Sequence, residues 1–320
     1  MSRLIECVPN VSEGRRPEVV DAIAAAVTAV PGAHLLDRTS DTDHNRSVLT
    51  FAGEEHAVVD AMERALAAAI ARIDMNGHTG RHPRLGAVDV VPFVPLGDAS
   101  LEDCIALAKR FGQHIGDRLD LPVYLYAAAA SRPERRILAD IRRPQYEGLA
   151  AMMAAPGGEP DFGPATPHPT AGAVVVGARP FLVAWNINLE TADVAIAKRI
   201  AGAVRERDGG LPRVQALGVL LDDLGVAQVS MNLLDTAVTP MWRAWEEVER
   251  LAGEAGVVLR ESELIGLAPQ AAILAVADHA GMDPDAPLED RLRAGAAAVR
   301  IRDFSPDMAL ELRLARAAGG

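Results

Sequence analysis

The sequence predicts an α+β fold in which one module is used twice. Three observations predict it. Apolar runs and helical apolar stripes follow one another in the order β-α-β-β-α-β over residues 4–94. The same order returns over residues 181–260. Between them, in residues 155–172, Pro and Gly fill half of the positions, so that segment is neither helix nor central strand. The repeated order is the split βαβ, or ferredoxin-like, arrangement of a sheet with both helices on one face. The expected architecture is two tandem ferredoxin-like subdomains, residues 1–178 and 179–320, with a ligand groove between them.

In the first half, Leu4 to Val8 reads as a short strand ending in the polar turn Pro9-Asn10-Val11-Ser12-Glu13-Gly14. Pro17 to Val30 reads as a helix. Val20, Ile23, Val27 and Val30 recur at three- and four-residue steps, Pro17 opens the run and Gly32 stands just past its end. Ala33 to Asp37 is the second strand, Thr39 to Asn45 a polar loop, and Arg46 to Ala52 the third strand. Glu54 to Ile73 is a long alanine-rich helix with a Val58, Met62, Leu66, Ile70 stripe. Gly77, Gly80 and Pro83 interrupt any helix over residues 76–84, and Ala87 to Val94 is a buried strand. Ser100-Leu101-Glu102-Asp103 is a capping box for a helix running to Leu119. Pro122 to Ala127 adds a strand to the same sheet. Residues 132–153 read as helical and carry Arg132, Arg135, Arg136, Arg142 and Arg143. That arginine run reads as a solvated helix face. The Pro/Gly segment at 155–172 reads as a linker between domains, and as a binding loop if the ligand lies between them.

In the second half, Phe181 to Ile187 is a strand and Thr191 to Arg207 a helix with Val194, Ile196, Ile200 and Val204 inward. Val214 to Leu221 and Val226 to Leu233 are strands, Pro240 to Ala255 a helix, and Val257 to Arg260 a strand. Two more helices, Gln270 to Ala280 and Leu288 to Val299, follow, and the last residues are expected to fray.

Composition narrows the function. The chain has 320 residues, 49% of them hydrophobic, and a net charge of −12. That length can bury a full core. Acidity with few aromatics argues against a nucleic-acid partner, because phosphate binding needs an excess of Lys and Arg. No apolar signal core opens the chain, and no stretch of about 18 uncharged apolar residues is present to span a membrane. Two cysteines, Cys7 and Cys104, are too few for a disulfide framework and fit a reducing compartment. A soluble cytoplasmic protein is the expectation.

Polar residues outside helices gather in four places: Asn10 to Glu13, Asp41 to Arg46, His78 to Arg84, and Thr166 to Thr170. A histidine-bearing loop feeding a core strand suits proton transfer, since the strand fixes position and the loop leaves the imidazole accessible. The spacing of His78 and His82 suits two metal ligands on a helix face, but Gly80 and Pro83 argue against that helix. Cys7 lies in an apolar strand and reads as buried and inert. Neither Gly-x-Ser-x-Gly nor a phosphate loop is present. The set of groups suits acid/base-assisted group transfer between two bound substrates.

Four long stretches carry a resemblance. They are Glu6-Cys7-Val8-Pro9-Asn10-Val11-Ser12-Glu13-Gly14, then Gly77-His78-Thr79-Gly80-Arg81-His82-Pro83-Arg84-Leu85-Gly86-Ala87-Val88-Asp89, then residues 177–189, and then residues 227–235. In this order they resemble the glutamate formimidoyltransferase family, the formiminotransferase part of formiminotransferase-cyclodeaminase. The likeness runs from residue 3 to about 275, and the chain resembles a free-standing transferase. The resemblance implies transfer of a formimino group from N-formimino-L-glutamate to N5 of tetrahydrofolate, in histidine breakdown. It implies folate in the groove between two subdomains, a homodimer, and no metal. It makes His82 the catalytic histidine. It places folate contacts on Gly163-Pro164-Ala165-Thr166-Pro167-His168-Pro169-Thr170-Ala171-Gly172.

Vertebrate members carry an aspartate where this chain has Thr39. The carboxylate expected to orient His82 is therefore Asp41. Arg46 is a candidate for a glutamate carboxylate, which arginine pairs bidentately. Asn10, Asn188, Ser230 and Asn232 are candidates to line the groove. Three rival readings stand beside this one. They are a related folate-dependent formyltransferase using N-formylglutamate, a metal-dependent hydrolase using His78, His82 and Asp89, and a folate binder without activity.

Overall fold

The structure, a computed structural model, describes residues 3–221 and 224–319. It divides into two compact units, Met1–Pro180 and Phe181–Gly320. It is a mixed α+β protein with one sheet in each unit. No helix among the described residues is long and apolar enough to cross a membrane.

The first unit is built on a seven-stranded sheet. Its strands are β1 (Arg3–Cys7), β2 (Asn10–Val11), β3 (Ala33–Asp41), β4 (Arg46–Glu54), β5 (Val88–Gly97), β6 (Val123–Ala127) and β7 (Val174–Ala178). The first two are one line of chain interrupted at Pro9. Both lie between β4 and β5 and pair antiparallel with each. β3 pairs β4 at one edge, and β7 and β6 continue beyond β5 in parallel.

Helices α1 (Pro17–Thr28), α2 (Glu55–Ile70) and α3 (Leu101–Leu119) pack into the larger core. The expected stripes are the buried ones: Val20, Ile23 and Val27 on α1, and Val58, Met62 and Leu66 on α2. Pro17 opens α1, where its missing N–H costs nothing. Ser100 and Asp103 exchange both bonds of the capping box on α3. Phe111 of α3 meets Phe93 of β5 edge-on at 5.3 Å, a pairing worth about 0.5–1.5 kcal/mol beyond area burial.

The other side of β5, β6 and β7 is covered separately. Val90, Tyr124, Tyr126 and Val175 pack there with Ile141 of α4 (Leu138–Ile141) and with Leu149 and Met153 of α5 (Gln145–Ala154). β5 is thus buried on both faces, which explains its unbroken apolar run.

Three expectations are corrected in this unit. Residues 132–153 do not form one helix. Pro133 and Pro144 interrupt it and Gln145 takes a φ of 55°, leaving a short 3-10 turn, α4 and α5. The segment 155–172 is not a linker, since it lies inside the first unit and packs there. Its Phe162 joins the core, and Asp161 accepts from Leu125 N–H and pairs with Arg135. β7, which follows it, is a strand the sequence reading lacks.

The second unit has a four-stranded antiparallel sheet in the order β11-β8-β10-β9. These are β8 (Val183–Leu189), β9 (Val214–Leu221), β10 (Val226–Leu233) and β11 (Leu259–Ile265). Val183, Trp185, Ile187 and Leu189 alternate inward against α6 (Val194–Val204) and α7 (Met241–Glu254). Trp185 stacks on Trp245 at 6.1 Å. Two helices close the core, α8 (Gln270–His279) and α9 (Leu288–Ala298). The end of the chain is not frayed as expected. It forms α10 (Leu310–Gly319), with Leu310 and Leu314 buried and the Leu310 N–H bonded to Ala268 O.

Candidate functional site

Three polar loops of the first unit are laced together where β2 ends and β5 begins. The Gly14 N–H donates to Asn45 Oδ1 at 2.9 Å, and Asn45 Nδ2 donates to Thr79 O at 2.9 Å. Ser12 Oγ donates to Gly86 O at 2.7 Å, and Ser47 Oγ to Glu13 O at 2.5 Å. Asn45 sits at a φ of 49°, a conformation asparagine tolerates better than most residues. Glu13 is buried, and burial works to raise its carboxyl. The N–H groups of Arg15 and Arg16 and the Arg16 guanidinium win, holding it below the usual glutamate range.

The fourth polar stretch is tied in from the other side. The Met75 N–H donates to Thr170 O at 2.8 Å, and the Ala87 N–H to Ala171 O at 2.9 Å. Gly86 bridges Gly172, and His168 and Gly172 exchange both backbone bonds. A Cβ on Gly86 would strike the carbonyls of Ala171 and Ala173, so only glycine allows this approach. The loop expected to carry folate contacts therefore abuts the loop that carries His82. Its Pro167, His168 and Pro169 line an open cavity of about 390 Å³ with Asn76, His78, Tyr146 and Glu147.

His78 and His82 have different environments. The Arg84 Nε–H donates to His78 Nδ1 at 3.1 Å, so His78 carries its proton on Nε2, which faces Asn45 O at 3.2 Å. Both ring nitrogens are used in holding the loop, and Arg84 is itself clamped by Glu147 at 2.6 and 2.9 Å. Among the described residues no group of three or more His, Cys, Asp and Glu side chains is arranged to hold a metal ion.

His82 is 8% exposed. Its Nε2 lies 3.5 Å from Asp89 Oδ2, out of hydrogen-bond alignment, and has no other hydrogen-bond partner among the described residues. Asp89 is fully buried on β5. Its Oδ1 accepts the Leu85 N–H at 2.9 Å, and its Oδ2 is also paired by Arg142, just past α4. Burial is the main influence on His82 and favours the neutral ring. Asp89 opposes it, while Arg142 and Arg46 reinforce it, and the result lies below the usual imidazole value. The arrangement delivers a neutral, buried imidazole beside a buried carboxylate. That is the equipment of a general base.

Asp41 is not the carboxylate at His82. It stands opposite Arg46 at the end of the β3–β4 hairpin, and His44 takes it up through its backbone N–H at 2.8 Å and its ring at 2.7 Å. Arg46 is half-buried near the pair and feels the charge of Asp89. Asn10 is half-buried in β2, beside Val90 of β5. In the second unit, Asn188, Ser230 and Asn232 share the sheet face opposite the core. Asn188 is buried and spent, since Oδ1 accepts from Gln228 and Nδ2 donates to Glu261, while Ser230 and Asn232 are half-buried. Cys7 is buried, burial pushes its thiol up, and it contacts Met62 Sδ at 3.7 Å.

Sequence reasoning missed the orienting place of Asp89 and the whole contribution of Arg142. A lone aspartate inside Ala87 to Val94 was an available signal for the first. No spacing pointed to the second.

Comparison with known proteins agrees with this layout. Residues 4–179 match the family model of the formiminotransferase domain, N-terminal subdomain, and residues 184–284 match that of the formiminotransferase domain. The chain is similar to the glutamate formimidoyltransferase of Thermoplasma acidophilum, 46% identical over 86% of this chain and 91% of that one. It is 41% identical to the glutamate formimidoyltransferase of Streptococcus pyogenes, over 87% of this chain and 93% of the relative. It is 43% identical to the formimidoyltransferase-cyclodeaminase of Mus musculus over 86% of its own length, which spans 52% of that protein.

Proposed function

The chain belongs to the formiminotransferase family, and from that premise we propose that it transfers the formimino group of N-formimino-L-glutamate to N5 of tetrahydrofolate, with His82 moving the proton. The products are 5-formiminotetrahydrofolate and L-glutamate. Tetrahydrofolate is the acceptor substrate. The observation that carries the role of His82 is its neutral, buried ring with Nε2 beside the buried carboxylate of Asp89.

The step follows from what the transfer requires. N5 of the folate attacks the amidine carbon and becomes cationic as the tetrahedral intermediate forms. The His82 ring takes the N5 proton. The imidazolium so created faces Asp89, whose second oxygen is anchored to the Leu85 backbone. The proton then goes to the nitrogen of the departing glutamate, and the carbon–nitrogen bond breaks. A base of this kind contributes about 10²–10⁴ in rate, and holding both substrates in place contributes further.

Folate contacts are assigned to Gly163–Gly172. Support comes from the cavity against Pro167, His168 and Pro169 and from the bridge between Gly86 and Gly172. Each unit is read as a ferredoxin-like module, 1–178 and 179–320. The orders β5-β1-β4-β3 and β11-β8-β10-β9 support that reading, because each sets the last strand of a β-α-β-β-α-β series beside the first. The resemblance alone supports a homodimer and a cytoplasmic place.

The test is an ultraviolet assay. Protein, tetrahydrofolate and formiminoglutamate are mixed and then acidified, which converts a 5-formimino product to the absorbing methenyl form. Signal that needs both substrates and vanishes with His82→Ala is the expected result. Full turnover by His82→Ala would remove that residue from the mechanism, and absence of signal in the wild type would remove the donor.

A further inference from the structure

Arg46 is a half-buried cation near His82 that the described residues leave unused. It is half-buried on β4, its Nε is buried without a hydrogen-bond partner, and among the described residues it enters no ion pair. The carboxylate opposite it, Asp41, is already held by His44 through two bonds. Burial lowers the Arg46 value, and the charge of Arg142 lowers it further.

Arg142 is the second guanidinium. Its side chain is 13% exposed, its Nε is also buried without a partner, and it reaches Asp89 Oδ2. That oxygen is the one 3.5 Å from His82 Nε2. Arg142 thus pairs with Asp89, while Arg46 feels the charges of Asp41 and Asp89 but forms an ion pair with neither. In a site shielded from water, like charges at this range are costly until an anion joins them. A guanidinium meets a carboxylate through paired N–H donors, and two guanidinium groups can hold both of its oxygens.

We propose that Arg46 and Arg142 together receive the α-carboxylate of the amino-acid donor, beside the His82–Asp89 pair. The proposal rests on the transfer reading given above and adds to it the means by which the donor is held. The α-carboxylate is chosen over the side-chain carboxylate by connectivity. It hangs on the carbon that bears the departing nitrogen, and that nitrogen must come within reach of His82. The groups facing His82 are then Asp89 from β5, Arg46 from β4 and Arg142 from the turn after α4. The donor's carboxylate neutralises the two cations that hold the ring's basicity down. Donor binding therefore raises the basicity of His82 just as it is needed.

The experiment compares N-formimino-L-glutamate with its α-carboxamide analogue, N-formimino-L-isoglutamine, as donors to wild type, Arg46→Gln, Arg142→Gln and Arg142→Lys. Wild type is expected to prefer the free acid by about 10–100-fold in kcat/KM, the value of charge-assisted bonds in a shielded site. In Arg46→Gln and Arg142→Gln the preference should fall toward unity. The KM for the donor should rise by about 10–100-fold, and the KM for tetrahydrofolate should stay unchanged. Arg142→Lys should recover part of the preference. Arg142→Gln strips Asp89 of its arginine partner and so carries a stability cost. Arg46→Gln breaks no ion pair among the described residues, so it keeps the test intact. Variants that transfer with the wild-type preference overturn the proposal while leaving the transfer reading in place. A wild type that does not use formiminoglutamate overturns the transfer reading and this proposal with it.

Discussion

A base that works at neutral pH has to arrive unprotonated, and the residues around His82 arrange this against the pull of Asp89. Burial, Arg142 and Arg46 all favour the neutral ring. The acid limb of the kcat/KM profile, which reports the protein without its donor, should therefore fall below the ordinary imidazole value of about 6.5. Below that limb the ring holds a proton and turnover falls. Stability has the same sign. The folded state gives up the His82 proton more readily than the unfolded chain, so stability declines as pH drops from about 6.5 through the lowered folded value. Replacing His82 with Ala should lower kcat by about 10²–10⁴ while folate still binds. Replacing Asp89 with Asn tests the other half of the pair. The substitution removes the charge that raises His82, so the acid limb should move further down. It also leaves Arg142 without its partner, at a stability cost of roughly 3–5 kcal/mol in a denaturant titration. An acid limb that stays in place would take Asp89 out of contact with the base. Glycines and a proline marked the loop of His78 and His82 as irregular, and it is the family resemblance that singles out His82. Asp89 was not legible, because an aspartate amid valines reads as part of a strand, and Asp41 drew the assignment by standing near Thr39, where vertebrate members of the family carry an aspartate. Arg142 was hidden by its own run of arginines, of which Arg136 and Arg143 do face solvent.

At the scale of elements, period and punctuation located nearly every helix and strand, and the failures share a cause. Composition can say that residues 155–172 are irregular but not that an irregular segment is packed. Only partners show that, here Val123, Leu125 and Arg135. β7 follows at once, and five apolar residues without alternation look like the end of a linker until two parallel neighbours are seen. The Gly86–Gly172 bridge is where this hidden segment meets the His82 loop, and it can be tested. Gly172 sits at a φ of 72°, and a Cβ there would meet Leu85 O and the Tyr146 ring. Gly172→Ala should cost about 1–2 kcal/mol for the left-handed backbone alone, with overpacking adding about 1–3 kcal/mol. Thermal unfolding reads both. Gly77→Ala is the control: its Cβ would meet nothing within 4 Å, and its Tm should stay within the range of a harmless substitution. A Gly172→Ala protein as stable as the control would mean that the bridge does not hold the two loops.

Each unit of the molecule buries its own apolar residues, and the chain supplies a natural label for the second unit. Every buried apolar residue of the first core lies before position 180, and every one of the second lies after it. All three tryptophans, Trp185, Trp242 and Trp245, fall in the second unit. Trp185 and Trp245 are buried there, so their emission reports the opening of that core, while far-ultraviolet circular dichroism reports helices and strands of both units. Each unit is within the usual size range of a domain that folds on its own. A defect placed in the first core should then be invisible to the tryptophans. Phe111 is the place for it: it is 2% exposed on α3 and packed edge-on against Phe93. Truncation to Ala should cost the first unit about 3–5 kcal/mol. In a guanidinium titration of the Phe111→Ala chain, the dichroism should show an early transition that the parent chain lacks, and the tryptophan midpoint should not move. If instead the tryptophan midpoint shifts by as much as the dichroism, the two cores open as one cooperative body. The damage at Phe111 is then shared by residues it never touches, and stability in this chain belongs to the molecule and not to its units.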